Sequence, residues 1–318
     1  MRNKITGAAR IINDGGVVAF PTETVYGLGA DAFNPKAVAR IFEIKARPAF
    51  DPLIVHICKL EELELLSPEI MNNNFVLLLS KAFWPGPLTM VLPKRDTVPG
   101  IVTAGLSTVA VRMPAHPIAR ELIKLSKTPI AAPSANKFGM ISPTEALHVK
   151  KQLLGIDCII DGGKTTIGLE STVIALNTDG FELLRPGAVS SNELEKIIPK
   201  SGIADKKENL LHSPGHMKSH YSPRKPIYFM DEVRQGLNTR EGGLISFAGI
   251  GKVNQYKKIE VLSPNMDLKE AAINLFSAMH KLEDSDVKFI VVEPVPEVGI
   301  GIAIMDRLRK AVFKYQAK

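Results

Sequence analysis

Short apolar runs alternate with amphipathic stretches over residues 1–200. Val17-Val18-Ala19-Phe20, Leu53-Ile54-Val55, Met90-Val91-Leu92, Thr108-Val109-Ala110-Val111 and Pro129-Ile130-Ala131-Ala132 read as strands, as do Cys158-Ile159-Ile160 and Thr172-Val173-Ile174-Ala175-Leu176. Runs this short with no polar alternation fit a sheet covered on both faces. Helix signals separate several of them. MRNKITGAARIINDGG is amphipathic, without the apolar core of a secretory signal. Asn34-Pro35 pairs an N-cap with proline at the first helical position, and Val38, Ile41 and Phe42 follow at helical spacing. Ser190 through Glu193 form a capping box ahead of Leu194, Ile197 and Ile198. The pattern predicts an α/β fold.

Residues 201–226 break it. This stretch is polar, punctuated by Pro and Gly, and holds three of the seven histidines, so it reads as a linker. Alternation resumes on a smaller scale over 227–318. Ile227-Tyr228-Phe229, Leu244-Ile245-Ser246-Phe247 and Phe289-Ile290-Val291-Val292 are strand runs, and Leu268, Ala272, Leu275, Met279 and Leu282 make a helical stripe. A glycine turn then opens a last helix in GIGIAIMDRLRKAVFKY.

The 318 residues suit about two domains, and 45% hydrophobic with 23% charged residues exclude a disordered or disulfide-scaffold chain. A net charge of +7 favours anionic partners such as nucleotides or RNA, although no Lys/Arg run reads as a nucleic-acid tail. No run approaches the roughly 20 apolar residues of a membrane span. Cys58 and Cys158 sit in apolar runs, which reads as two buried, reduced thiols of a cytoplasmic protein.

Generic motifs fail. GGKT at 162–165 lacks the earlier glycine of a phosphate loop, that position being Cys158. GLGADA at 27–32 is separated from the preceding strand by PTETVY, which argues against a dinucleotide fingerprint. Gly299-Ile300-Gly301 reads as a closely packed turn. His212, His216 and His220 have helical ligand spacing, but Pro214-Gly215 would break that helix, and no other cluster has metal-ligand spacing.

Four clusters remain. PTETVYGLG (21–29) places hydroxyls and glycines after a strand. KARPAFDPLIVH (45–56) puts Lys45 and Arg47 at a helix end and His56 at a strand end. STVAVRMP (107–114) embeds Arg112 in an apolar strand, and APSANKFGMISPT (132–144) is a hydroxyl- and amide-rich loop. An arginine in an apolar strand needs an anion or several acceptors to offset its desolvation. Taken singly, Lys45 could be a solvated helix end, Arg47 could pair with Asp51, and His56 could be a satisfied strand histidine. Together the clusters describe a pocket for phosphates plus a carboxylate.

Lys45-Ala46-Arg47 followed by Ser134-Ala135-Asn136 resembles the Lys-x-Arg and Ser-x-Asn signature of the YrdC-like domain of threonylcarbamoyl-AMP synthases. The resemblance extends to PTETVYGLG, PLIVHI, residues 168–173 and Leu184-Arg185-Pro186-Gly187. GIGIAIMDRLRKA is similar to the closing motif of the two-domain members. It implies a twisted open mixed sheet with helices over 1–200, a linker or lid over 201–226, and a smaller Rossmann-like α/β domain over 227–318. The implied reaction joins L-threonine, bicarbonate and ATP, with Mg2+, into L-threonylcarbamoyl-AMP and pyrophosphate. A downstream tRNA threonylcarbamoyl transferase system would consume the product, and weak, double-stranded RNA binding is a further expectation. The resemblance places Thr24, His56, Arg112, Ala132 and Ser171 around threonine. It places Lys45, Arg47, Asp51, Thr108, Ser134, Asn136, Ser142, Arg185 and Tyr221 around ATP, with Lys45 and Arg47 catalytic. Glu170 is open between a structural salt bridge and a ligand role. The family usually has glycine at 46, asparagine at 51 and a small residue at 138, where this chain has Ala46, Asp51 and Phe138. An RNA-binding module is the competing reading, but the basic clusters lack interleaved aromatics.

Overall fold

The computed structural model describes residues 1–67, 73–201, 219–233, 237–251 and 255–316. Nine strands form the larger sheet: β1 (Val18–Phe20), β2 (Gly27–Asp31), β3 (Ile54–His56), β4 (Leu88–Pro93), β5 (Thr108–Arg112), β6 (Ile130–Ala131), β7 (Cys158–Ile159), β8 (Thr172–Asn177) and β9 (Gly180–Arg185). Their order is β7-β1-β2-β6-β3-β5-β4-β8-β9, with parallel and antiparallel neighbours mixed. A separate four-stranded sheet has the order β10-β13-β11-β12, from β10 (Ile227–Phe229), β11 (Gly242–Ser246), β12 (Lys258–Val261) and β13 (Phe289–Val292). All its pairs are parallel, and helices α8 (Leu268–Glu283) and α9 (Gly301–Gln316) pack with it. Among the described residues no helix is long and apolar enough to cross a membrane.

Local sequence explains the helix that matters most for the site. Helix α2 (Pro35–Lys45) starts where Asn34 accepts hydrogen bonds from the Lys36 and Ala37 amides, with proline at its first turn. Its buried face is Ala37, Val38, Ile41, Phe42 and Lys45, so helical periodicity carries Lys45 inward. The helix stops at Ala46, whose φ of 50° is the left-handed conformation that favours glycine. Glycine is what the resembled family usually has there.

The two lobes share a core. Val25, Ile141, Leu169 and Tyr221 belong to the same apolar cluster as Ala272, Phe276, Ile304 and Leu308. Gly168 permits this contact: a Cβ there would come within 2.5 Å of the Ala272 carbonyl, and its φ is +79°. The turn at Gly299-Ile300-Gly301 is a packing device, since a Cβ on Gly301 would lie 2.0 Å from the Pro296 carbonyl.

Helix α6 (Ala146–Gln152) meets α8 through two imidazoles. His148 and His280 stack with ring centroids 3.8 Å apart, and His280 Nε2 lies 3.1 Å from the Ser142 carbonyl. Glu145, Lys151, Lys164 and Asp284 are the charged neighbours. Burial first, then His148, pushes His280 down to about 3. An unfolded histidine titrates near 6.5, so the unfolded chain binds a proton the folded one refuses at pH values between. Stability is therefore lost as pH falls below 6.5, by up to about 2 kcal/mol from this group between pH 7 and 5. In urea titrations, His280→Gln should lose correspondingly less stability over that range. An unchanged acid slope would rule His280 out as its source.

Candidate functional site

A cavity of about 60 Å3 opens where strand ends from the larger sheet converge. His56 and Arg112 end β3 and β5 and are register partners in that parallel pair. Ala132 and Ser134 follow β6, Ser171 immediately precedes β8, and Arg185 ends β9. Thr22, Thr24 and Val25 come from the β1–β2 connection, Gly27 opens β2, and Arg47 and Pro52 come from the loop after α2. Ile54, Pro133, Glu170, His220 and Tyr221 complete the lining.

Arg112 lines the cavity and is buried. Its Nε donates to the Gly86 carbonyl (3.1 Å), Nη1 to Thr24 Oγ1 (2.9 Å) and Nη2 to Glu23 Oε1 (2.5 Å). Three of five guanidinium N–H groups thus bond the protein. Burial alone would push Glu23 up, but the Arg112 charge and hydrogen bond hold its carboxyl below the ordinary value. Burial and then the Arg112 charge push the His56 imidazole down to about 3, so it is neutral near pH 7. The Ala132 amide donates to the Ile54 carbonyl (2.9 Å), so a backbone contact from Ala132 to a ligand would use its own carbonyl.

Two further arginines line the cavity. Arg185 donates through Nε (3.1 Å) and Nη2 (2.9 Å) to the Ser171 carbonyl, and Ser171 Oγ also bonds Thr89 Oγ1 (2.7 Å). Arg47 ion-pairs with Asp51 (2.9 Å) and donates to the Pro52 carbonyl, with the Phe138 ring 5.9 Å from its guanidinium carbon. Asp51 and Phe138, two departures from the resembled pattern, therefore both contact Arg47. The Asp51 carboxylate is paired with a cation.

Lys45 does not line the cavity. It is buried behind the loop, donating to the Ser134 carbonyl (2.5 Å) and to the Asn136 carbonyl. Burial first, and then Arg47, pushes its ammonium well below the ordinary lysine range. Asn136 donates through Nδ2 to the Lys137 and Met140 carbonyls, bracing the same loop. Ser142 Oγ donates to Glu170 Oε1 (2.5 Å). Asn136, Ser142, Asp51 and Thr108 are likewise outside the lining, although β3–β5 register brings Thr108 level with Pro52. Most of the linker or lid, residues 202–218, including His212, His216 and Met217, lies outside the described residues. His220 and Tyr221 are placed. Tyr221 packs against Phe276 and lies under Arg307, so it faces both the cavity and the smaller lobe. Residue types alone do not single out Glu23, whose partner Arg112 is 89 positions away, whereas Thr22 belongs to the hydroxyl-bearing PTETVYGLG cluster and His220 to the histidines noted in the linker. Among the described residues no group of three or more His, Cys, Asp or Glu could hold a metal ion.

Two family models match the chain: one described as telomere recombination over residues 10–187, and the threonylcarbamoyl-AMP synthase C-terminal domain over 189–312. A Pyrococcus abyssi threonylcarbamoyl-AMP synthase is 47% identical over 97% of this chain and 94% of its own length. The chain belongs to the threonylcarbamoyl-AMP synthase family. A family member from Bacillus subtilis is 42% identical, covering 97% of this chain and 92% of its own. The crystal structure of P. abyssi Sua5 complexed with L-threonine is 45% identical, with a TM-score of 0.87 over 98% of this chain and 95% of that one. Escherichia coli YciO, 27% identical with a TM-score of 0.53, covers 61% of this chain and 94% of its own length. The synthase family thus accounts for both lobes, whereas the YciO likeness covers only part of the chain.

Proposed function

We propose that this chain joins L-threonine, bicarbonate and ATP into L-threonylcarbamoyl-AMP, releasing pyrophosphate. The observation that carries the reading is one cavity lined by three arginines, Arg112, Arg47 and Arg185, the last two close enough to repel each other. The first suits an amino-acid carboxylate and the others suit phosphates. Crystallisation of the P. abyssi relative as a complex with L-threonine supports the amino-acid half.

Threonine's amine condenses with bicarbonate, losing water, to give a carbamate. A carbamate oxygen then attacks the α-phosphorus of ATP. The new P–O bond forms as the bond to the β-phosphate oxygen breaks, and pyrophosphate departs. Arg112 with Thr24 orients the carboxylate, while Ser171, His56 and the Ala132 carbonyl bound the threonine side. Arg47 and Arg185 meet the phosphates. Lys45 and Asn136 brace the Ser134–Asn136 loop against them, Tyr221 borders the nucleotide side, and Thr108 and Ser142 support it from outside the lining. Positioning and fixed positive charge supply the catalysis. Mg2+ enters with ATP as part of the substrate. Residues 1–200 hold the chemistry, 201–226 act as its cover, and 227–318 form the smaller domain. The product feeds a tRNA threonylcarbamoyl transferase system, a cytoplasmic role compatible with weak RNA binding.

Pyrophosphate release should require L-threonine and bicarbonate together, with mass spectrometry finding the threonylcarbamoyl adenylate. Equal release without threonine would instead make the protein a nucleotide hydrolase.

A further inference from the structure

Arg307 of α9 reaches from the smaller lobe into the wall of the cavity. It is 1% exposed. Its Nε donates to Glu170 Oε2 (3.0 Å) and its Nη1 to the Pro186 carbonyl (2.7 Å) and to Asp306 (2.8 Å). The guanidinium carbon lies 5.4 Å from the centroid of the Tyr221 ring. Glu170 lines the cavity, and its other oxygen accepts the Ser142 hydroxyl. A carboxylate therefore borders the space that Arg47 and Arg185 make attractive to anions. Unneutralised, it would oppose a triphosphate arriving there, because like charges in a water-poor site are weakly screened. Arg307 supplies the compensating charge, and its bond to Pro186 anchors it beside Arg185.

We propose that Arg307 is a positioning residue for the nucleotide: it neutralises Glu170 and holds it on Ser142, so that the smaller lobe makes the cavity permissive for ATP phosphates. The inference rests on the ATP reading of this cavity. It differs from a purely architectural role, in which Arg307 would only pin the lobes together. It differs also from a role for Glu170 as a ligand of the Mg2+ that accompanies ATP.

The test is calorimetry on the full-length protein with a non-hydrolysable ATP analogue plus Mg2+ and, separately, with L-threonine. Arg307→Met should weaken the analogue at least tenfold while L-threonine affinity stays within twofold. Adding Glu170→Gln to that variant should restore analogue affinity to within threefold of the unaltered protein, because the repelling charge is gone. Glu170→Gln alone should tighten the analogue threefold or more, and it decides the matter if Arg307→Met does not fold. Full analogue affinity in folded Arg307→Met, failure of the double variant to recover, or unchanged or weaker binding by Glu170→Gln would each overturn the inference. Failure of the unaltered protein to bind the analogue would instead overturn the nucleotide reading, and this inference with it, before any variant is compared.

Discussion

Arg112→Ala should cost about 3–5 kcal/mol of folding stability, because it strips the cation from a buried pair and leaves Glu23 unneutralised. Both side chains are under 10% exposed, at 4% and 8%, so water cannot take over the missing partner. The same change should weaken L-threonine about 10- to 150-fold, the worth of one charge-assisted contact of roughly 1.5–3 kcal/mol. The two losses have different origins and can be separated. Adding Glu23→Gln removes the stranded charge, so chemical denaturation should show most of the stability recovered. Threonine affinity by calorimetry should not recover, since the carboxylate still lacks its guanidinium. Undiminished threonine binding in either folded variant would take Arg112 out of the threonine site.

Lys45→Met should slow pyrophosphate release about 100-fold, the scale of misplacing the positioned groups by roughly 1 Å. The ammonium bonds the carbonyls of Ser134 and Asn136, so its loss leaves two buried acceptors unpaired and frees the loop facing the phosphates. Lys45→Arg should rescue little. A planar fork does not fit the point where two carbonyls converge on one nitrogen. Burial holds the Lys45 ammonium well below the ordinary lysine range, and a triphosphate nearby would raise it again. A rate within threefold of normal in Lys45→Met, measured at saturating substrates, would move Lys45 out of the chemistry.

Much of this site was legible from residue pattern, and the exceptions have physical causes. Asn34-Pro35 announced α2, and the Ser190–Glu193 capping box is present as read. His56 stands at the end of β3 as read, whereas Arg112, read as embedded in an apolar strand, is the last residue of β5. Strand β2 was hidden because Gly27 and Gly29 carry no strand propensity. Gly29 is small for a tertiary reason: a Cβ there would meet Ile130 at 2.5 Å and Phe20 at 2.6 Å. Strand β12, with its exposed and half-buried residues, offered no apolar run to read. The carboxylate partners were invisible for a different reason. Glu23 answers Arg112 across 89 positions, and Glu170 answers Arg307 across 137, separations that no local pattern encodes. Arg47 does ion-pair with Asp51 while also lining the cavity, and Glu170 does form a salt bridge while lining it too.

The core shared between the lobes also sets a timetable for biosynthesis. Val25, Ile141 and Leu169 are translated well before Phe276, Ile304 and Leu308, the apolar side chains with which they are buried. At about 5–20 residues per second, a ribosome needs roughly 5–20 seconds to bridge the interval between Leu169 and Phe276. During that time the nascent first lobe displays an uncovered apolar face. Arg307, which meets Glu170, emerges later still. The cavity wall at Glu170 is thus finished by a residue made 137 positions later, and a nascent chain must stay soluble until then.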